Sequence, residues 1–290
     1  MFNGLLINPA TVGAKEKISA GLFYRKQWVG MTGSPTLASF SIQSPLNYSR
    51  MGLGIQVVDQ TAFVEHITSA TISYAYKINL GKGRLSFGME AGIIQGIIAL
   101  NGLRIKDPDD EISASKTAVL LPDLSSGLYY QTKKWNIGLS AKHLFSGVGN
   151  TVSYTFNTPM PIKQFYLFSS YSLKLSKEFQ IIPSILLKYA PNIPLQADLN
   201  IHLRYKEIIW VGGSFRTNDA ISMQTGLRLD QLAKGIRQEI RLGYAFDYPF
   251  TLLNGITPGS HEIIFIMDFE LDKTPNQIRK SKKMISPVFF

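Results

Sequence analysis

The chain has 290 residues, a formal charge of +10 and a pI near 9.6. It is 45% hydrophobic but 17% charged, below the roughly 25% of an average soluble domain. Having no cysteine, it has neither a disulfide framework nor a thiolate nucleophile or metal ligand. No apolar run reaches the roughly 18 to 20 residues of a spanning helix. The first residues, Met1-Phe-Asn-Gly-Leu-Leu-Ile-Asn-Pro9, show neither a basic n-region nor a cleavage site after an apolar stretch. Lys and Arg are spread singly or in turns, the one cluster being Arg279-Lys-Ser-Lys-Lys283, so nucleic acid is not an expected partner.

In chain order, residues 2–14 are apolar but irregular, interrupted by Pro9 and Gly13. They are expected to fold into or against one mouth of the molecule, with Asn3 and Asn8 serving polar groups there. From residue 17 onward the pattern has period two, the mark of strands with one apolar and one polar face. Ala70, Ile72, Tyr74, Tyr76 and Ile78 alternate with Ser69, Thr71, Ser73, Ala75 and Lys77. Trp135, Ile137 and Leu139 alternate with Asn136, Gly138 and Ser140. Leu195, Leu199, Ile201 and Leu203 alternate with Gln196, Asp198, Asn200, His202 and Arg204. The pattern predicts fourteen strands, near 17–28, 35–43, 50–59, 66–80, 84–97, 124–132, 134–145, 163–175, 178–190, 194–205, 207–216, 220–229, 236–247 and 260–271. Most exceed the five or six residues usual in globular strands and match the nine to eleven of a tilted spanning strand.

Tight turns are expected at Gly81-Lys-Gly83, Thr132-Lys-Lys134, Ser176-Lys-Glu178 and Tyr205-Lys-Glu207, with a slightly longer one at 230–235. Longer links are expected at 98–123, 146–162, 190–194, 216–220 and 248–259. Short turns on one rim and long loops on the other are the plan of an outer-membrane barrel. The predicted fold is therefore all-β: a transmembrane antiparallel β-barrel of about 14 strands over residues 16–272. An N-terminal segment (1–15) lies at the periplasmic mouth, and a basic periplasmic tail follows at 273–290. An even strand number places both termini in the periplasm. Only a closed sheet can turn its apolar face to lipid, because an open edge would leave backbone groups unpaired in hydrocarbon. Trp28, Tyr189, Tyr205, Trp210, Tyr244 and Phe246 are expected at the two interfaces. Leu195, Leu199, Ile201 and Leu203 should meet lipid. Gln196, Asp198, Asn200, His202 and Arg204, with Arg228, Arg237, Glu239 and Arg241, should line the lumen.

The four histidines, His66, His143, His202 and His261, lie on separate strands without HxH or HExxH spacing, so no metal site is expected. No GxSxG, P-loop or dinucleotide fingerprint occurs, and no enzyme and no cofactor are expected. Asp107, Asp109 and Asp110 form an acidic turn in the longest loop, matching no EF-hand. Gly52, Gly54, Gly88, Gly92, Gly138 and Gly226 stand on polar faces. They either bend strands or leave lumen space for a plug or a partner segment. Lys82, Lys133, Lys134, Lys177, Lys206 and Lys234 mark turns. With Arg279, Lys280, Lys282 and Lys283 they form either a polar boundary or a docking surface for an acidic partner. Phe289 and Phe290 end the tail as an anchor for a partner groove or for the barrel itself.

Three blocks are familiar: Met1-Phe-Asn-Gly-Leu-Leu-Ile-Asn-Pro-Ala-Thr-Val-Gly13 with Phe23-Tyr-Arg-Lys-Gln-Trp28 and Gly33-Ser-Pro-Thr36; Gly102-Leu-Arg-Ile-Lys-Asp-Pro-Asp-Asp110; and Gly259-Ser-His-Glu262 with Ser286-Pro-Val-Phe-Phe290. Together they resemble the PorP/SprF family of outer-membrane proteins attached to the type IX secretion system. The resemblance implies a Gram-negative outer-membrane barrel serving protein secretion and gliding motility, with an export signal upstream. It implies binding and anchoring of a secreted surface protein, or its C-terminal domain, at the cell surface. It also implies type IX components, periplasmic proteins and outer-membrane lipid as partners. The acidic loop and the tail are the contacts it suggests. A porin-like or lipid- or solute-transporting barrel is the alternative.

Overall fold

A computed structural model describes residues 4–46, 50–99, 116–145, 161–217, 219–231, 238–250 and 257–270. Fourteen antiparallel strands close into a barrel. They are β1 Ile18–Lys26, β2 Thr36–Leu46, β3 Met51–Ala62, β4 Glu65–Leu80, β5 Gly83–Ala99, β6 Lys116–Gln131 and β7 Trp135–Lys142. β8 is Gln164–Tyr171, continued past Ser172 by Leu173–Lys174. Then come β9 Phe179–Ala190, β10 Ile193–Tyr205, β11 Ile209–Arg216, β12 Ala220–Arg228, β13 Glu239–Pro249 and β14 Ser260–Phe269. Each strand pairs with its sequence neighbours, and β14 pairs with β1 from Ile18↔Phe269 to Lys26↔His261, so no edge remains.

The alternation sorts side chains between two environments. Leu199 and Ile201 are 49% and 59% exposed on the outside, whereas Asn200 and His202 between them are 6% and 2% exposed. The same inversion runs round the barrel, with Leu22, Phe40, Ile55, Ile72, Leu139 and Val211 among the exposed apolar residues. So large an uninterrupted apolar exterior is stable only against lipid. Outward aromatics stand at both ends of the wall. Phe179 and Tyr205 meet at one rim with centroids 4.9 Å apart. Phe215 stacks on Phe250 at the other, with centroids 5.6 Å apart.

We call the rim from which β1 departs, and to which β14 returns, the terminal rim. Lys82, Lys133, Lys134, Lys177 and Lys206 all lie in its turns. Lys206 and Glu207 both have positive φ, 49° and 57°, the backbone of a primed turn, in a loop completed by Ile208. They delay β11 to Ile209, where the pattern predicted 207.

The other rim differs from the expected run of long loops. β3 returns as β4 after only Phe63 and Val64, and β9 returns as β10 through Pro191 and Asn192 rather than through a link at 190–194. Tight turns therefore occur on both rims. The link predicted at 98–123 is also shortened, because β6 begins at Lys116 and not at 124. Pro122 suggests a break, but it pairs only with Ile93 of β5, and β7 joins β6 only from Ser126. A proline without an N–H is tolerated on such an unpaired flank.

Candidate functional site: a plugged lumen

The lumen is filled first by the chain's own beginning. Asn8-Pro9-Ala10-Thr11 folds as a capped turn of 3₁₀ helix, with Pro9 at its first position. The Asn8 carboxamide accepts from Ala10 N at 2.8 Å, and Thr11 Oγ1 donates to Asn8 O at 2.8 Å. Asparagine before proline is a favoured helix start, because the side chain serves an orphan N–H and the ring needs none. Gly4–Leu6 forms a second such turn. Leu5, Ala10 and Val12 have no exposed surface. Burying Leu5 and Val12 contributes about 1.5–3 kcal/mol each.

The barrel wall is cut to receive this plug. Gly52, Ala75, Gly88 and Gly127 are consecutive register partners across β3, β4, β5 and β6, so one row of the wall carries almost no side chain. A Cβ at Gly88 would lie 2.1 Å from Ala10 N, and one at Gly52 would lie 2.2 Å from Val12 O. A Cβ at Gly127 would meet Asn8 Oδ1 at 2.1 Å. Among the glycines on polar faces, Gly54 and Gly138 also face the plug, whereas Gly92 packs on Thr71 and Gly226 on the Trp210 ring. Trp210 is therefore not interfacial: it is 5% exposed, turned inward across Gly226 and Gly243. Its position alternates with outward Ile209 and Val211, and this phase overrides the aromatic preference for the membrane boundary.

Wall side chains also hold the plug's backbone. Ser140 Oγ donates to Ile7 O at 2.7 Å, and Gly13 N donates to Gln43 Oε1 at 2.9 Å. Lys77 Nζ donates to Gly13 O. Asn8 Nδ2 donates to Leu128 O and Leu139 O at 2.9 and 3.2 Å. Where the segment leaves for β1, Glu16 pairs with Arg84 at 2.7 Å and Lys17 with Glu239 at 2.9 Å. Lys15 lies 3.9 Å from Asp268. Its ammonium pKa is lowered to about 7, by burial first and then by Arg241, with Asp268 and Glu239 opposing the fall.

Beyond the plug, with Leu6 and Ile7 as its floor, a cavity of about 480 Å³ runs towards the other rim. One wall is charged and self-compensated. Reading across it, Glu262 pairs with Arg25 at 2.7 Å, Arg25 with Asp247 at 3.0 Å, and Asp247 with Arg216 at 3.4 Å. Arg216 then meets Asp198 at 3.3 Å, and Asp198 meets Lys188 at 2.7 Å. Low in the opposite wall a second pair is sealed. Glu90 and Lys142, 1% and 8% exposed, lie 2.5 Å apart, with Ser73 Oγ donating to Glu90 at 2.9 Å. Above that pair apolar Ile94, Ile67, Val58 and Leu37 run from β5 to β2 and reach Phe23 of β1, beside the charged wall.

Of the residues singled out in the sequence, Asp198 stands in this network and Asn200 lines the cavity, its Nδ2 donating to Asp198 O at 3.1 Å. His202 shares a hydrogen bond of 2.7 Å with Gln224, its ring lying over Gly212. Gln196 is half-buried opposite Lys188. Arg204, Arg228, Glu239 and Arg241 are half-buried near the terminal rim. There Arg228 meets Asp230 at 2.8 Å, and Arg241 meets Glu239 at 3.4 Å and also pairs with Asp268. Arg237, Asp107, Asp109, Asp110, Lys280, Lys282, Lys283, Phe289, Phe290 and Asn3 lie outside the described residues. Among the described residues no three His, Asp or Glu side chains converge as metal ligands.

Comparison with known proteins agrees with this architecture. No curated protein sequence matches the chain. Among solved structures it is similar to the CymD monoaromatic hydrocarbon channel, with 12% identity, 92% of each chain covered and a TM-score of 0.52. It is also similar to the toluene transporter TbuX of Ralstonia pickettii, with 10% identity, 92% of each chain covered and a TM-score of 0.52. At such identities the likeness is one of fold, that of an outer-membrane barrel. The model of the family described as type IX secretion system membrane protein PorP/SprF matches residues 1–267, plug and barrel together, and the chain belongs to that family.

Proposed function

We propose that this type IX secretion barrel is a non-enzymatic receptor that holds a secreted surface protein, adhesin-like in character, at the cell surface. Both termini then lie in the periplasm, and the rim opposite them faces outward. The observation that carries this reading is the plug. Residues 4–14 are seated in the lumen near the terminal rim, and a chamber lies between them and the opposite one. Such a shape receives and retains, whereas a conduit needs two open ends. Gliding follows as a use of the held protein. The loop bearing Asp107, Asp109 and Asp110 contributes to the outer contact, and the basic tail with Phe289 and Phe290 to the periplasmic one.

Transport is the second reading, since the two similar structures are a monoaromatic hydrocarbon channel and a toluene transporter. The charged wall from Glu262 to Lys188 disfavours a purely apolar cargo. Affinity purification from producing cells under native conditions, followed by identification of co-purifying chains, tests the proposal. Receptor function predicts a large secreted chain in stoichiometric amount. A barrel that purifies alone from cells secreting their full set of surface proteins contradicts it.

A further inference from the structure

The plug shows what the lumen wall does to a polypeptide: it reads the backbone with side chains. Ser140 and Lys77 donate to the carbonyls of Ile7 and Gly13, and Gln43 accepts from the Gly13 N–H. The wall does not stop at the plug. Two registers above the Gly52–Ala75 pair, Gln56 of β3 faces Thr71 of β4 as a register partner. Both line the cavity. They are 2% and 6% exposed, and Gln56 Nε2 and Thr71 Oγ1 have no hydrogen-bond partner among the described residues. Buried donors of this kind are costly unless something accepts from them. Two strands from Gln56, on β1, Arg25 Nε is in the same condition. With Gln56 and Thr71, apolar Phe23, Val58, Ile67 and Ile94 line the cavity.

Resting on the receptor reading above, we propose that this chamber is a peptide-binding site. It takes an extended polypeptide segment of alternating character. Backbone carbonyls accept from Gln56 and Thr71, apolar side chains lie on Phe23, Val58, Ile67 and Ile94, and polar side chains turn to the charged wall. A sugar chain would leave the apolar wall uncovered. A hydrocarbon would leave the amide and hydroxyl donors unanswered and would face Arg25, Lys188 and Arg216. A peptide strand answers both, because its side chains alternate in the same way as those of the barrel.

The test uses the whole chain in detergent micelles and three probes: a randomised pool of end-blocked octapeptides, maltohexaose and toluene. Retention is read by native mass spectrometry. The comparison variant is Gln56→Leu with Thr71→Val, which removes both donors and keeps the wall's volume. Its barrel is checked by circular dichroism, and its plug by protease protection of residues 4–14. The expected result is retention of peptides alone, enriched in alternating apolar sequences, and at least tenfold weaker in the variant with barrel and plug intact. Should the variant disturb the plug, Phe23→Ser, two strands away on β1, replaces it with the same expectation. Peptides held equally by the variant, no peptide held, or preference for maltohexaose or toluene would overturn the proposal. The two readings separate in cells. A secreted chain that co-purifies equally with the variant leaves the receptor standing and removes the chamber as its site. Peptides held through Gln56 without any co-purifying secreted chain leave the site standing and remove the receptor.

Discussion

The two sides of the lumen are filled by opposite means. From β3 to β7 the inward side chains shrink to a row of glycine, alanine and serine, and the chain's own residues 4–14 occupy the space. From β9 through β14 to β1 long charged side chains stand among the inward residues, and they fill space by pairing with one another from Lys188 to Glu262. A barrel of fourteen strands is too wide for ordinary side chains to fill alone. The difference shows the two remedies side by side. Inserted backbone brings hydrogen bonds that can be made or withdrawn as a unit. A salt-bridge lattice is fixed in the wall and cannot leave. The plugged side therefore rests on contacts between a segment and the wall, and the charged side is the frame.

Substitutions on the two sides should separate accordingly. The largest effect is expected for Arg216→Leu. It leaves Asp198, Asp219 and Asp247 short of their shared cation, and breaking a buried pair from one side costs about 3–5 kcal/mol. Urea unfolding in micelles should show that loss, with residues 4–14 still protected from protease before the transition. Next comes Leu199→Arg, on the lipid face, at about 2–4 kcal/mol if near the midplane. Asn200→Arg, one residue on and facing inward, should assemble normally, and the reverse order would mean the faces are misassigned. Gly88→Val should cost about 1–3 kcal/mol by overpacking, and all of it should fall on the plug. Rapid proteolysis of residues 4–14 in an intact barrel is the expected outcome. If the barrel unfolds with it, the plug is part of the frame and the comparison fails.

The smallest effect, about 1.4 kcal/mol for each pH unit, is one of titration. Docked Lys15 titrates near 7 instead of 10.5, so the released segment binds the extra proton between those values. Docking should therefore tighten as pH rises from about 7 to about 10.5 and stay level below 7. Protease protection measured across that range should rise less steeply in Lys15→Met than in the unaltered chain.

Much of the wall was legible in the sequence, because period-two alternation survives over strands as long as β4 and β5 and only a barrel lets that apolar face meet lipid. The strand ends were less so. At Pro122 the local signal for a break is real, but the residue sits where a neighbour is missing, a fact of register that lies in no single strand. Trp210 failed for a related reason: phase along β11 decided its side, while composition pointed to the interface. The plug's own turns could be read from Asn8 and Pro9, but not its seat. Gly52, Gly88 and Gly127 come from three distant strands, and only pairing through β4 brings them into one row. The charged lattice is equally scattered, its members drawn from six strands at positions that alone read as ordinary lumen residues.

The central claim is that the chain's first residues close the lumen and make a receptacle of the barrel. Ion conductance across planar bilayers, measured on the whole chain and on a variant lacking residues 4–14, tests it most directly. Closure predicts that the whole chain is nearly silent and that the shortened variant opens a stable, ohmic pore. Equal, large conductance from both would contradict it.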